Sequence, residues 1–363
     1  MRAPVRITDR TDRYRIPLIH ITDLYHPPQD PDDHFDLATI AALQEYDLKG
    51  VILDVTEQFL NPSTQSADVR RDPGFVPVMQ MAYLLGRDIP AASGPRTPLR
   101  NALDDIADRP TQEQAGVHLL LDLLERSESR VVVSVVGSCR VLTAAFNRNR
   151  ELVRTKVRSV LLNAGSSGGS KQEWNVGLDP EAYRGLWQSG LPIHWYPCAT
   201  EQGAFNPDHE RGTYWNASHA ALLNGISLPL QAWFAYALSG SDRTDTIKVL
   251  SEKPPQETWN DLLAQKRNLW ATASLVMGAG RILAKTKDGW RFIPDDNAMR
   301  RHAWAWRMDR IGTSVTENAQ VLWHPLETGG NAFLFGRARK DGFSAAMGEA
   351  LNALLKSIHP VTR

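Results

Sequence analysis

The stretch "IHITDLYHPPQDPDDHFDLATIAAL", from Ile19 to Leu43, joins an apolar strand to a helix through a loop rich in aspartate. The run "IPLIHITD" is typical of a buried strand that ends at Asp23, and "DDHFDLATIAALQEY" is typical of a helix whose acidic first turn suits the helix dipole. A strand, an acidic loop and a helix in this order predict the start of an α/β fold.

The same alternation continues to about Cys198. Strands are predicted at "LKGVILDVTE", "DIPAASG", "RVVVSVVG", "VRSVLLNAG" and "LPIHWYPC", and helices at "FVPVMQMAYLLGR", "TQEQAGVHLLLDLLERSES", "VLTAAFNRN" and "DPEAYRGLWQSG". Continuous apolar strands separated by helices predict a mostly parallel central sheet with helices on both faces, a Rossmann-like α/β fold. Such sheets bind ligands at the carboxyl ends of their strands.

We predict a single α/β domain over residues 1–363, with a core of about 15–200 plus 259–360. Residues 199–258 are polar and aromatic and predict a lid or inserted region. After them, "WNDLLAQKRNLWATASLVMGAGRILA" predicts a long helix that packs back on the sheet, and "NAFLFGRARKDGFSAAMGEALNALLKSI" predicts a final strand and helix. The glycine-rich run Gly165–Ser170 predicts an active-site loop.

Bulk composition excludes several classes of function. Lys plus Arg equals Asp plus Glu at 41 each, so the chain lacks the basic footprint of a protein that binds nucleic acid or an anionic membrane surface. The opening "MRAPVRITDRTDRYR" has no apolar segment, and no window approaches a membrane span, so a cytoplasmic location is expected. Cys139 and Cys198 lie in apolar settings and predict buried core residues.

The acidic loop admits three interpretations. Helix capping by Asp32 or Asp33 accounts for one or two of its acids. A calcium loop of the EF-hand type beginning at Asp30 fails, because Phe35 and Ala41 stand where glycine and a bidentate Glu are needed. The third is a hard-cation site, in which carboxylates from the strand end and the helix start converge at the sheet edge and a divalent ion balances their charge.

Several segments in register resemble the nucleoside hydrolase family of the inosine-uridine preferring type. The acidic loop is similar to the family's Asp-Thr-Asp-Pro-Gly-x-Asp-Asp pattern, "VVVSVVGSCRVL" to its strand and Gly-Pro-Leu-Thr-Asn turn, and "VRSVLLNAG" to its strand ending in Met-Gly-Gly. "EWNVGLDPEAYRGLWQSGLPIHWYP" resembles its Glu-Phe-Asn segment with the helix and strand that follow. The order holds over roughly residues 15–200 and implies the fold of that family.

The resemblance also implies residue roles. Asp23 and Asp33 would bind Ca²⁺ together with the main-chain carbonyl of Val136, and Asp23 is the candidate general base. Four further residues would contact the ribose: Asp32, Asn163, Glu173 and Asn175. The implied reaction breaks an N-ribosyl bond through an oxocarbenium-like transition state, for which a cation and a carboxylate base are suited.

The chain departs from the family pattern at three places. Eight residues separate Asp23 from Asp32, a longer loop than the family's, so Asp30 is an alternative to Asp23 as the catalytic carboxylate. Glu57 stands where the family has an Asn that touches ribose. The family's late His-Asp-Pro segment aligns with "RNLWATASL" (267–275), which has neither a carboxylate nor a His, although Trp270 there is suited to stack on a base.

The segment "CATEQGAFNPDHERGTYW" raises a separate alternative. It contains Glu201, Asp208, His209 and Glu210, which predict either a lid over the pocket or the charged surface of a solvated loop.

Three functions fit these observations. The first is calcium-dependent hydrolysis of the N-glycosidic bond of a nucleoside or related small ribosyl compound. The second is an enzyme on the same scaffold with altered substrate or chemistry, such as the tailoring of an unusual nucleoside. The third is a non-catalytic protein that binds a ribosyl ligand. The resemblance implies a homodimer or homotetramer, and the expected partner is a small nucleoside-like molecule.

Overall fold

Thirteen strands form in the computed structural model, which describes residues 15–60, 71–169, 171–339 and 341–361. Within these ranges the strands are β1 Ile16–Thr22, β2 Tyr46–Leu53, β3 Ala91–Ser93, β4 Val131–Val136, β5 Val157–Asn163, β6 Ile193–Trp195, β7 Trp215–Ser218, β8 Lys266–Leu269, β9 Arg281–Thr286, β10 Gly289–Pro294, β11 Trp306–Val315, β12 Val321–Pro325 and β13 Ala332–Arg337.

The helices of the same ranges are α1 Asp32–Ala42, α2 Glu57–Leu60, α3 Phe75–Leu85, α4 Thr111–Arg126, α5 Arg140–Arg148, α6 Arg150–Lys156, α7 Trp174–Leu178, α8 Pro180–Gln188, α9 His219–Leu223, α10 Leu228–Leu238, α11 Gln256–Leu263, α12 Thr272–Gly278 and α13 Phe343–Leu355. Short 3₁₀ turns lie at Lys248–Ser251 and Arg300–His302. Across the described ranges, no helix is both long enough and apolar enough to cross a membrane.

Nine strands make the central sheet of the described chain, in the order β12-β11-β13-β6-β5-β4-β1-β2-β3. The seven strands from β13 to β3 in this order run parallel, while β11 pairs antiparallel with both β13 and β12 at one edge. The prediction of a mostly parallel α/β sheet is confirmed.

Both faces of the sheet are covered, which explains why its strands are continuously apolar. Alternate residues of β1 serve different cores: Leu18 belongs to the layer that contains α1, α10 and α13, whereas Ile19 and Ile21 belong to the layer that contains α4, α5 and α8. Each fully buried Leu or Ile side chain stabilises the fold by roughly 1.5–3 kcal/mol.

The predicted long helix after residue 258 is wrong. The segment forms α11, then strand β8, then α12, because β8 pairs antiparallel with β7 in register from Trp215–Leu269 to Ser218–Lys266. These ladder hydrogen bonds override the helical propensity of the segment. The predicted last strand and helix are confirmed as β13 and α13.

Residues 199–258 divide between two environments. Thr200–Phe205 reach the cavity described below, whereas α10 is buried and contributes Trp233 and Phe234, which are fully shielded from solvent. This segment therefore supplies part of the core as well as part of the cavity wall.

The strand registers bring the chemically important residues to one edge. Thr22 at the end of β1 pairs with Leu53 of β2 and Val136 of β4, and Val136 pairs with Asn163 of β5. The residues that follow these strand ends, including Asp23 and Asp54, therefore lie side by side at the carboxyl edge of the sheet.

Candidate active site

A cavity of about 880 Å³ opens at the carboxyl edge of the parallel strands. It is lined by nine of the residues singled out from the sequence: Asp23, Asp30, Asp32, Asp33, Val136, Asn163, Glu173, Asn175 and Trp270. The glycine-rich run also reaches it through Gly168 and Gly169, while Ser170 lies outside the described residues. The structure thus brings together residues from four separate parts of the sequence.

The floor of the cavity is held by contacts between β1 and α1. The hydroxyl of Thr22 donates a hydrogen bond to Oδ1 of the buried Asp33. Gly137 adopts φ +128°, and a Cβ at this position would lie 2.8 Å from Oδ2 of Asp54 and 3.2 Å from Oδ1 of Asp23. Both the backbone conformation and the two carboxylates therefore require glycine here.

Helix capping does not account for the acidic loop. The N-cap of α1 is Pro31, with no side-chain capping bond, and Asp32 and Asp33 are the first two helical residues. Asp33 bonds to Thr22 instead, and Asp32 lines the cavity. The structure agrees better with the third interpretation of this loop, in which carboxylates converge at the sheet edge.

The cavity carries a strong excess of acid. Among the described residues that line it, seven are acidic and one, Lys171, is basic. Burial, the charge of Asp54 and other nearby groups raise the pKa of Asp23 to about 8, and burial with the charge of Asp23 raises the pKa of Asp36 to about 8. Burial and neighbouring aspartates also raise the pKa of Asp32 and Asp33 well above the ordinary range. A bound cation would favour the ionised forms.

The cavity offers oxygen donors, the ligand type that a hard cation prefers. Oδ1 of Asn163 and Oδ1 of Asp36 are buried and have no hydrogen-bond partner in the described part of the chain, so oxygen atoms are available. No group of three or more His, Cys, Asp or Glu side chains within the described ranges is arranged to hold a metal. The ligand set expected from the sequence has only two carboxylates plus the carbonyl of Val136, so further oxygen atoms would have to complete it.

Another part of the cavity wall is formed by the start of α7. Glu173 caps this helix: its carboxylate accepts hydrogen bonds from the amides of Asn175 at 3.1 Å and Val176 at 3.3 Å, and from Gly165 at 2.7 Å. The side chain of Asn175 donates to the carbonyl of Asn163 at 3.1 Å. Asn163, Glu173 and Asn175, predicted as one ribose-binding group, are therefore connected by hydrogen bonds through the cavity wall.

Asp30 is fixed by a cation from a distant part of the sequence. Arg267 approaches its Oδ1 at 3.4 Å and donates through Nε to Nε2 of His219 at 3.1 Å. His219 Nδ1 in turn lies 3.0 Å from the carbonyl of Leu262, so its ring is held from both sides. Asp30 has a charged partner, in contrast to Asp23, which faces other carboxylates.

Trp270 belongs to an aromatic cluster at one side of the cavity. Its ring centroid lies 5.6 Å from that of Phe205 and 5.3 Å from that of Tyr214, and its indole donates to the carbonyl of Ala204 at 3.1 Å. Phe205 is 65% exposed, and Trp174, also on the cavity wall, is 57% exposed. Exposed rings of this size beside a cavity are suited to contact a planar group.

One predicted site residue, Glu57, lies away from the cavity, and His26 in the acidic loop makes other contacts. Glu57 is exposed at the first residue of α2 and is not among the lining residues, so its ribose contact remains a sequence prediction. His26 Nε2 lies 2.8 Å from the carbonyl of Ser241, and its ring stacks on Tyr236 at 4.7 Å. These contacts give His26 a structural role in holding the loop.

Sequence reasoning did not single out Asp54, which is almost fully buried behind the floor. Its carboxylate accepts hydrogen bonds from the amide of Ser138 at 2.6 Å and from its hydroxyl at 2.9 Å. The sequence pattern that marks a strand end was present, because Asp54 follows the apolar run of β2 just as Asp23 follows that of β1. Asp54 fixes the Gly137–Ser138 turn that separates it from Asp23.

Sequence comparison relates the chain to bacterial ribonucleoside hydrolases. It is 33% identical over 138 residues to the pyrimidine-specific ribonucleoside hydrolase RihA of an Enterobacter species, covering 32% of this chain and 44% of that protein. It is 29% identical over 185 residues to RihA of an Escherichia coli strain, covering 45% and 55% respectively. The chain thus spans about half the length of these relatives, and no protein-family model matches it.

Solved structures share its fold over nearly the whole chain. A purine-preferring ribonucleoside hydrolase from Gardnerella vaginalis superposes with a TM-score of 0.52 at 14% identity, covering 94% of this chain and 99% of that one. The inosine-uridine preferring nucleoside hydrolase from Bacillus anthracis gives a TM-score of 0.50 at 12% identity, with the same coverage. The sequence relatives and the solved structures with a similar fold are both nucleoside hydrolases by name.

Proposed function

We propose, from the nucleoside hydrolase-like fold of this divergent chain, that it hydrolyses the N-glycosidic bond of a nucleoside or related small ribosyl compound in a calcium-dependent reaction. The resemblance noted in the sequence is confirmed by the sequence relatives and by the shared fold. The observation that carries the proposal is the convergence of Asp23, Asp32 and Asp33 with Asn163 and Glu173 around one cavity.

The reaction requires a general base that activates the attacking water, and polar groups that bind the ribose. Asp23 is the proposed base: it lies at the end of β1 on the cavity floor and would accept the proton of the attacking water. The water oxygen bonds to C1′ of the ribose as the bond from C1′ to the nucleobase nitrogen breaks. The departing nitrogen takes a proton from solvent and Asp23 returns its proton to solvent, which yields free ribose and free nucleobase. Asp30 is a weaker candidate, because Arg267 already balances its charge.

The ribose hydroxyls would contact groups from both sides of the cavity. Asp32 approaches from α1, while Asn163, Glu173 and Asn175 approach from β5 and α7. Contacts from two sides would fix the sugar so that C1′ faces the general base Asp23. The loss of translational and rotational entropy is then met on binding, which lowers the activation free energy of the reaction.

Calcium would be held by Asp23, Asp33 and the carbonyl of Val136. When bound, the ion would orient the ribose diol and stabilise negative charge near the attacking oxygen. Thr22 contributes by fixing one oxygen of Asp33, an outer contact of the kind that orients metal ligands.

A second candidate function is a changed substrate on the same scaffold. Its supporting observation is Arg267, which stands in the segment where the family has its late His-Asp and forms an ion pair with Asp30 of the lengthened loop. A cation in place of a carboxylate alters the charge beside the cavity, so an unusual ribosyl compound is the alternative to ordinary nucleosides.

Product analysis tests the proposed reaction. Incubation with a panel of purine and pyrimidine nucleosides, in calcium and without phosphate, should release free base and reducing ribose in equal amounts. Ordinary nucleosides left intact while a modified ribosyl compound is consumed would favour the second candidate.

Replacing Asn163 with alanine should separate substrate binding from stability. Because Oδ1 of Asn163 is buried without a partner in the described chain and its amide contacts are long, at 3.4 and 3.5 Å, the free protein should lose little stability. A lost hydrogen bond to the ribose should lower kcat/KM about tenfold to a hundredfold. Steady-state kinetics and thermal melting measure both effects, and a large fall in Tm with unchanged kcat/KM would contradict the assignment.

A further inference from the structure

A tight turn at the cavity mouth projects two polar side chains. Thr200 and Gly203 exchange backbone hydrogen bonds of 3.1 and 2.9 Å, and Gly203 adopts φ +94°, which favours glycine. Glu201 and Gln202 therefore occupy the tip of the turn, and both line the cavity.

Exposure is greater at Glu201 than at Cys198, and both residues line the cavity. Cys198 is 7% exposed and is close enough to Glu173 and Asp32 to feel their charges, which together with burial raise the pKa of its thiol. The side chain of Glu201 is 51% exposed. Glu201 thus lines the same cavity as the proposed ribose contacts Asp32 and Glu173.

Glu201 is held in place by a buried histidine. His209 Nε2 lies 2.8 Å from Oε1 of Glu201, and Nδ1 of the same ring accepts the amide hydrogen of Arg211 at 3.0 Å. Because Nδ1 is an acceptor, the ring hydrogen is on Nε2, and Nε2–H donates a hydrogen bond to the carboxylate of Glu201. The histidine side chain is only 5% exposed, so this orientation is fixed by the protein interior.

The glycine-rich run allows Glu201 to approach. A Cβ at Gly168 would lie 3.0 Å from Oε2 of Glu201, and one at Gly169 would lie 3.1 Å from its Cα. A side chain at either position would crowd Glu201, which would have to shift by a few tenths of an ångström. Glu201 thus lies close to three other residues of this region: Gly168, Gly169 and His209.

We propose that Glu201, positioned by His209, selects leaving groups that present an N–H donor at the edge facing the cavity mouth. This rests on the proposed N-ribosyl hydrolysis and names the class of base that the site accepts. A carboxylate that already receives a bond from His209 offers its remaining lone pairs only as acceptors. A base edge with N–H groups satisfies them, whereas an edge with only acceptor nitrogens faces them without a hydrogen bond.

Two pairs of nucleosides test this selection, because within each pair one member lacks the donor. Inosine has N1–H and purine riboside does not, and uridine has N3–H and the riboside of pyrimidin-2-one does not. The ratio of kcat/KM within each pair is measured for the wild-type protein and for Glu201→Gln. The ratio is that of the member with the N–H donor to the member without it. Gln adds a donor at this position, which favours the member without N–H, so the ratio should fall about tenfold. Tenfold is the low end for a hydrogen bond to a charged group, as suits the half-exposed Glu201. Differences in intrinsic reactivity cancel, because each ratio is compared with that of the wild type.

Two further variants separate selection from structure. Glu210→Gln makes the same chemical change on the same segment outside the cavity lining, and it should leave the ratio unchanged. His209→Phe removes the donor that orients Glu201 and should shift the ratio in the same direction by a smaller factor.

The outcomes distinguish this inference from the proposed function. A ratio within twofold of wild type in Glu201→Gln, with hydrolysis retained, overturns the inference alone. If the wild-type protein releases no base from these four compounds or from the wider nucleoside panel, the proposed function fails, and dissociation constants from calorimetry replace kcat/KM. The inference then stands if the binding ratio falls in Glu201→Gln, and it is overturned if the ratio is unchanged or if none of the four binds.

Discussion

Replacing Asp33 with alanine should lower kcat/KM for base release by roughly a thousandfold, the size expected when a charged group that orders the transition state is lost. Asp33 is buried at the start of α1, where it lines the cavity and accepts the hydroxyl hydrogen of Thr22. The change removes a proposed calcium ligand beside Asp23 and leaves Thr22 without its partner. Steady-state kinetics in saturating calcium measure the loss.

Two variants make the Asp33 result specific. Asp33→Asn keeps the shape and an oxygen acceptor for Thr22 while removing the charge, so it should remain folded and yet lose most of the activity. Asp288→Ala changes an exposed aspartate in the turn between β9 and β10 and should leave kcat/KM unchanged. Activity of Asp33→Ala within tenfold of wild type would remove Asp33 from the proposed site.

Replacing Arg140 with methionine should destabilise the fold by about 3–5 kcal/mol, the usual effect of removing one partner from a buried ion pair. Arg140, the first residue of α5, is fully buried and donates through Nε to Oδ2 of Asp179 at 2.9 Å. Its other nitrogens donate to the carbonyls of Val55, Pro95 and Leu178 at 2.9 to 3.0 Å. The loss would leave Asp179 charged and three carbonyls without this donor, and denaturant unfolding measures it.

A double variant tests the cause of that loss. Asp179 also accepts the amide hydrogens of Leu99 at 2.7 Å and Ala182 at 2.9 Å, and it caps α8. Asp179→Asn keeps a capping oxygen but removes the charge, so Arg140→Met combined with Asp179→Asn should be more stable than Arg140→Met alone. Equal or greater destabilisation of the double variant would show that the uncompensated charge is not the main cost.

The central strands and the acidic floor follow directly from the sequence. Each parallel strand is an unbroken apolar run because both faces of the sheet are buried, and Asp23 marks the end of one such run. The carboxyl ends of parallel strands share an edge, so the convergence of Asp23 with Val136 and Asn163 could be predicted without coordinates.

Contacts that depend on distant pairing could not be predicted. Strand β8 is short and polar, and only its pairing with β7 separates it from the helices on either side. The ion pair of Arg267 with Asp30 joins residues that lie 237 positions apart, and that of Arg140 with Asp179 joins residues 39 apart. The contact of Glu201 with His209 depends on a turn set by Gly203. The sequence alone therefore left two alternatives, a lid and a solvated loop, of which the solvated loop is the more frequent meaning of such charges.

The most direct test is base release by the wild-type protein measured in saturating calcium, after chelation, and after calcium is restored. The account predicts free base and ribose from at least one ordinary nucleoside, loss of this activity on chelation, and its recovery with calcium, because the carboxylates of Asp23 and Asp33 would lose their bound cation and then regain it. Hydrolysis that continues unchanged in chelator would contradict the proposed role of calcium, and no base release in saturating calcium would contradict the proposed reaction.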